Sequence, residues 1–77
     1  MMLNEMEYTV NLSRKDLCDL MAAADNFYFS ASAEYRDRNN EIEVRTYALS
    51  RARRWKRIHD EVQKQIRDQD KKYGYNW

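Results

Sequence analysis

No proline interrupts this sequence, and its one glycine, Gly74, stands close to the C-terminal end. Folds rich in turns draw on both residues, so their scarcity points to long, uninterrupted helices. One cysteine, Cys18, cannot close an internal disulfide. With a single histidine, His59, there is no cysteine–histidine set for a structural zinc. No stretch reads as a signal peptide, and no apolar run is long enough to cross a membrane. An unpaired cysteine suits a reducing compartment, so the expected location is the cytoplasm. Carboxylate dyads, glycine-rich phosphate loops, metal-ligand spacings and nucleophile triads are missing as well. Neither catalysis, nor a metal, nor a cofactor is expected.

What is present is charge. Charged side chains make up 35% of the 77 residues, yet the net charge is only +1. Residues 1–43 carry four basic and nine acidic side chains, whereas residues 44–77 carry ten basic and four acidic. Two antiparallel arms of opposite sign attract one another. The second arm also offers a cationic surface to phosphates or to an acidic partner. A single domain this short buries a smaller share of its surface than a longer chain does. With no disulfide and no metal to supplement the core, pairing with further copies is the remaining source of stability.

The expected fold is mainly α: an antiparallel two-helix hairpin preceded by a short N-terminal β-strand, and oligomeric. Met6, Tyr8, Val10 and Leu12 alternate with polar residues, which predicts a strand over about 5–12. Its partner is either the same strand of another copy or the alternating segment Glu41–Arg45. Ser13 reads as an N-cap, with Asp16 three residues on, opening a helix over about 14–38. Along it Leu17, Met21, Ala24, Tyr28, Ala31 and Tyr35 step by four and three, the spacing of a coiled-coil seam. Leu20 and Phe27 fall on one flank of that seam, and Cys18, Ala22 and Phe29 on the other. This apolar arc is wider than one neighbouring helix can cover, which calls for a second copy. Phe27, Tyr28, Phe29 and Tyr35 are the expected oligomer interface.

Asp37 to Asn40 supply the turn. A second helix is expected over about 46–73, with residues 41–47 open between strand and helix. Tyr47, Ala48, Trp55, Ile58, Val62 and Ile66 share one of its faces, and Asp60–Lys64 and Lys64–Asp68 are spaced to pair on the outside. Tyr28, Tyr35, Tyr47 and Trp55 are expected in the core. Gly74 stops the helix and leaves residues 74–77 as an aromatic tail that serves as a loose end or an anchor.

The run Arg51-Ala52-Arg53-Arg54-Trp55-Lys56-Arg57 is the most distinctive local feature. Wound into a helix it is not one patch. Arg53, Lys56 and Arg57 project outward among Asp60 and Glu61, Arg54 sits at the edge, and Arg51 points into the apolar face. A charge there must snorkel, pair with an acid of the first helix, or meet an anionic ligand. His59 lies at the margin of the same face. Arg51, Arg54, Trp55, Arg57 and His59 are therefore the candidate residues for binding a partner or ligand. Cys18 reads as a small buried hydrophobe.

The stretches Leu12-Ser13-Arg14-Lys15-Asp16-Leu17-Cys18-Asp19-Leu20 and Trp55-Lys56-Arg57-Ile58-His59-Asp60-Glu61-Val62 resemble short uncharacterised helical-hairpin proteins of bacteria and their phages. That resemblance covers about half the chain. It implies a small protein of the host cytoplasm that inhibits bacterial immunity, by binding a host protein or by sequestering an anionic nucleotide signal. A second likeness runs to the ribbon-helix-helix DNA-binding regulators, through the strand, the Ser13 cap and the helix that follows. It implies base reading by Glu7, Thr9 and Asn11. Against it, the first helix is longer than that fold uses, Glu7 would repel phosphates, and the basic charge lies at the other end of the chain.

Overall fold

The computed structural model describes residues 11–74. The strand expected over 5–12 and the tail beyond Gly74 lie mostly or wholly outside them; Asn11 and Leu12 precede the first helix without regular structure. Among the described residues there are two helices, α1 (Arg14–Arg36) and α2 (Ile42–Lys72), packed against each other as a hairpin. Among the described residues no helix is long and apolar enough to cross a membrane.

Both helices begin and end for identifiable reasons. At the start of α1 the Ser13 hydroxyl accepts the Asp16 amide at 3.1 Å, and the Asp16 carboxylate lies at the positive helix end. At its C-terminus the helix runs out of partners for its last carbonyls, and three different donors supply them. The Asp37 amide donates to Ala33 O, Asn40 Nδ2 donates to Glu34 O, and Arg45 Nε donates to Tyr35 O at 2.8 Å. The Asp37 side chain then accepts the Asn39 amide, the local bond that makes this sequence turn. α1 consequently closes at Arg36, two residues short of the expected Arg38.

The second helix opens at Ile42, so of the segment 41–47, which the pattern left open between strand and helix, all but Glu41 is helical. Ile42, Glu43, Val44 and Arg45 have the alternation of a strand, but one helical turn brings Arg45 back against the end of α1. Helical winding also lets the Arg45 amide donate to Glu41 O at 3.0 Å. Tertiary capping has overridden the local pattern. At the other end, Tyr73 and Gly74 donate their amides to Gln69 O and Lys71 O. Gly74 adopts a φ of 85°, the left-handed conformation that glycine takes without strain.

The hairpin's register is antiparallel. Arg14 meets Asp70, Phe27 meets Trp55 and Glu34 meets Arg51, in step from the open end to the turn. Between the helices the core has two compositions. Leu17, Val62 and Ile66 fill the half near the open end, with Cys18, Leu20, Met21 and Ile58 packed around them. Toward the turn the buried residues are Ala24 and Ala31 from α1, and Ala48 and Ala52 from α2.

The expected face of α2 is corrected by this seam. It runs Ala48, Ala52, His59, Val62, Ile66 and Asp70, with Trp55 at its margin, and all of these are buried or half-buried. Tyr47 is not on it and stands 61% exposed; Tyr35 is exposed as well, while Tyr28 and Trp55 are half-buried. Alanine explains the displacement: small side chains at the seam let the two helices approach, leaving no volume between them for a ring. Cys18 is half-buried, packed against the Leu17 cluster as a small hydrophobe.

A candidate docking face

Because the rings cannot enter the alanine seam, they are displayed on its two flanks. On one flank Phe27 and Trp55 stack across the helices with centroids 4.8 Å apart and planes 23° from parallel. Trp55 is half-buried, but Phe27 keeps 52% of its surface exposed. On the opposite flank Tyr28 and Phe29 meet at 5.5 Å, and Phe29 is 59% exposed. A lone exposed aromatic is ordinary on a protein surface; here an aromatic pair with an exposed ring stands on each side of the hairpin. Of the four residues expected at an oligomer interface, Phe27, Tyr28 and Phe29 belong to these pairs, and Tyr35 is exposed nearer the turn with the Arg45 guanidinium 5.6 Å from its ring centre.

The stacked flank continues toward the open end as a shallow apolar groove. Leu20, Ile58 and Val62 form its floor, with Arg57, Glu61 and Gln65 at its rim. Helical spacing carries the strip onward: Leu20 and Phe27 are seven residues apart on α1, and Trp55, Ile58 and Val62 follow at three and four on α2. Toward the turn the strip ends at an ion pair, where Arg51 reaches Glu34 at 3.2 Å and lies over the Tyr47 ring at 5.5 Å.

This places the five expected binding residues in three different settings. Arg51 pairs with an acid of the first helix, the plainer of its two expected roles, and is thereby engaged. Trp55 belongs to the stacked flank. Arg54 and Arg57 are exposed and, with Arg53 and Ser50, line a shallow basic concavity, and Arg57 also stands at the rim of the apolar groove. His59 is on the seam, with Nδ1 3.1 Å from Asp60 Oδ1. That contact, and then Lys56 at 3.3 Å, hold the Asp60 carboxyl below the usual carboxylate range. Asp60 therefore pairs with Lys56, one turn before it, rather than with Lys64 as its spacing first indicated.

Asp70 escaped the sequence reading. Its side chain is almost fully buried, and it accepts two bonds from Arg14, Nε to Oδ1 at 2.7 Å and Nη2 to Oδ2 at 3.0 Å. The fork-to-fork geometry ties the first residue of α1 to the last turn of α2. The signal was available: Asp70 follows Ile66 at the seam interval of four, and Arg14 opens the other helix. Beside this pair a second groove opens, lined by Leu12, Leu17, Ile66, Gln69 and Tyr73. Among the described residues, no three histidine, cysteine or carboxylate side chains gather in a way that could hold a metal ion.

No protein-family model, curated protein or solved structure matches the chain.

Proposed function

We propose that this chain is a small non-enzymatic binding protein, which acts by docking the aromatic flanks of its hairpin against another macromolecule. The observation that carries the reading is the Phe27–Trp55 stack, half of Phe27 remaining open to water. Rigid aromatic surface of this kind, edged by arginine, is the composition of binding hot spots. The expected phage-type role, inhibition of a bacterial defence component, is one setting for such a protein and belongs to the same proposal. The test compares wild type with Phe27→Ser and Phe29→Ser. Neither change touches the Leu17–Ile66 core, so helix content by circular dichroism should stay the same. Association, read by size-exclusion chromatography with light scattering and by proteins retained on wild type but not on the variants, should fall. Full association in both variants would remove the aromatic flanks from the reading.

One observation favours a second mode, the trapping of an anionic nucleotide. Arg53, Arg54 and Arg57 surround a shallow concavity with the Ser50 hydroxyl, and guanidinium groups bind phosphate through paired donors. Purified protein would then carry excess absorbance at nucleotide wavelengths, which Arg53→Ala with Arg57→Ala would abolish. No feature of the described residues favours the DNA-regulator alternative over these two; salt-sensitive heparin binding lost in Asn11→Ala would support it.

A further inference from the structure

The stacked flank is a strip with a centre. Leu20 and Phe27 lie on one helix, Trp55 and Ile58 on the other, with Phe27 stacked on Trp55 and Leu20 lining the same groove as Ile58. Two opposite charges bracket Ile58 on α2. Arg54 precedes Ile58 by four residues and Glu61 follows it by three, so both project along one edge of the strip. Seven residues of helix separate them by about 10 Å, too far to pair with each other. Both are exposed, and no partner for either occurs among the described residues.

A surface with an apolar centre, Arg54 and Arg57 toward one end of its α2 edge and Glu61 toward the other, is complementary to itself turned end over end. We propose that this face takes a second copy of the chain. The two copies are related by a two-fold axis that lies in the interface and crosses the helices at the level of Ile58. This rests on the docking reading above and names its occupant. With α2 antiparallel to its copy, Arg54 of each chain meets Glu61 of the other, so the pair forms twice. The same rotation lays Leu20 of one chain toward Phe27 of the other and buries the open side of the Phe27–Trp55 stack. With α2 parallel to its copy, arginine would face arginine and glutamate would face glutamate, which is repulsive. The charges thus select one orientation of an otherwise undirected apolar contact. The assembly is a four-helix bundle, and the Tyr28–Phe29 flank stays outward for a different partner.

Charge reversal on the full chain tests this. Wild type should sediment as a dimer. Arg54→Glu alone and Glu61→Arg alone each convert two attractive contacts into two repulsive ones, and each should raise the dimer dissociation constant about tenfold. Arg54→Glu combined with Glu61→Arg should restore it to within about threefold of wild type. Both positions are exposed and outside the hairpin's own core, and unchanged circular dichroism certifies each variant as folded. A dimer indifferent to the single reversals, or a double variant no better than the singles, overturns the antiparallel arrangement. A monomeric wild type overturns self-association altogether. The docking reading would survive that last result if Phe27→Ser still lost a different protein, and would fail with it if Phe27→Ser changed nothing.

Discussion

The two halves of the hairpin solve the same packing problem with different residues. Near the open end Leu17, Val62 and Ile66 meet between the helices, and Arg14 clamps Asp70 beside them. Near the turn, Ala24, Ala31, Ala48 and Ala52 meet instead, and every ring in that half is pushed to a flank. The first half buries its large side chains with its own chain. The second buries almost nothing larger than a methyl group, and presents to solvent the apolar area a small domain can least afford to leave there. On the proposed docking reading, stability and recognition are thus divided along the molecule. Substitutions near the open end should unfold the chain, and substitutions on the flanks near the turn should leave it folded and without a partner.

The sharpest break of that comparison is Ile66→Ala. Ile66 is the largest apolar side chain that is fully buried, and its loss should cost about 2–4 kcal/mol, most of what a hairpin this size has. Urea unfolding followed by circular dichroism reads it directly. If Ile66→Ala cost no more than Phe27→Ala, the division of labour would be wrong.

Next in size is enlargement of the alanine seam. Ala31→Leu forces a side chain into a contact with no volume to spare, and a loss of about 1–3 kcal/mol is expected. The same added bulk at the half-buried Ala23, away from the seam, should cost far less. A stabilised Ala31→Leu would mean that the helices near the turn are loosely packed, and that the rings are displaced for some other reason. Asp70→Asn ranks just below. It keeps the shape but removes the charge that answers the Arg14 fork, for an expected loss of about 1–2 kcal/mol, moderated because Arg14 itself is largely exposed.

These expectations also mark how far the sequence could be read. The helices, the Ser13 cap, the Asp37–Asn40 turn and the Gly74 stop were legible because each rests on local chemistry that a few neighbouring residues determine. So was the excess apolar arc of α1, on whose flanks Phe27 and Phe29 stand exposed while Leu20 and Cys18 pack against the core. The tyrosines were not. Tyr35 and Tyr47 satisfy a heptad count about as well as a core residue does. What excludes them is the alanines beside them, and that is a property of two helices together rather than of one. Ala52 was hidden inside the basic run, and Asp70 among surface charges, although both continue the interval of four and three. The start of α2 was left open across residues 41–47 for the converse reason: Arg45 caps a helix that ends nine residues earlier, a contact no local window contains. The aromatic flank proposed for docking was legible only in part. Trp55 and Phe27 were picked out separately, but their stacking, and the engagement of Arg51 by Glu34, required the register.

The smallest effect expected concerns Asp60, on the outer side of the better-packed half. Hydrogen bonding from His59 and then from Lys56 lowers its carboxyl pKa in the folded chain. A carboxylate with a depressed folded value binds fewer protons folded than unfolded. Its contribution is therefore complete above the unfolded value and disappears as pH falls through the folded one. The window lies in the acid range, well below neutrality. Asp60 is fully exposed, so solvent screens the contribution and only a slight shift in unfolding midpoint is expected. Asp60→Asn should reproduce at neutral pH the small loss that wild type shows on acidification, and should itself lose less when acidified. Added salt should shrink the difference between the two chains, since an exposed pair is screened. A large acid-dependent loss that Asp60→Asn abolished would mean this edge carries stability comparable to the Leu17–Ile66 core. The contrast between a half that folds the chain and a half that displays it would then need a third element, an electrostatic brace running along the outside of α2.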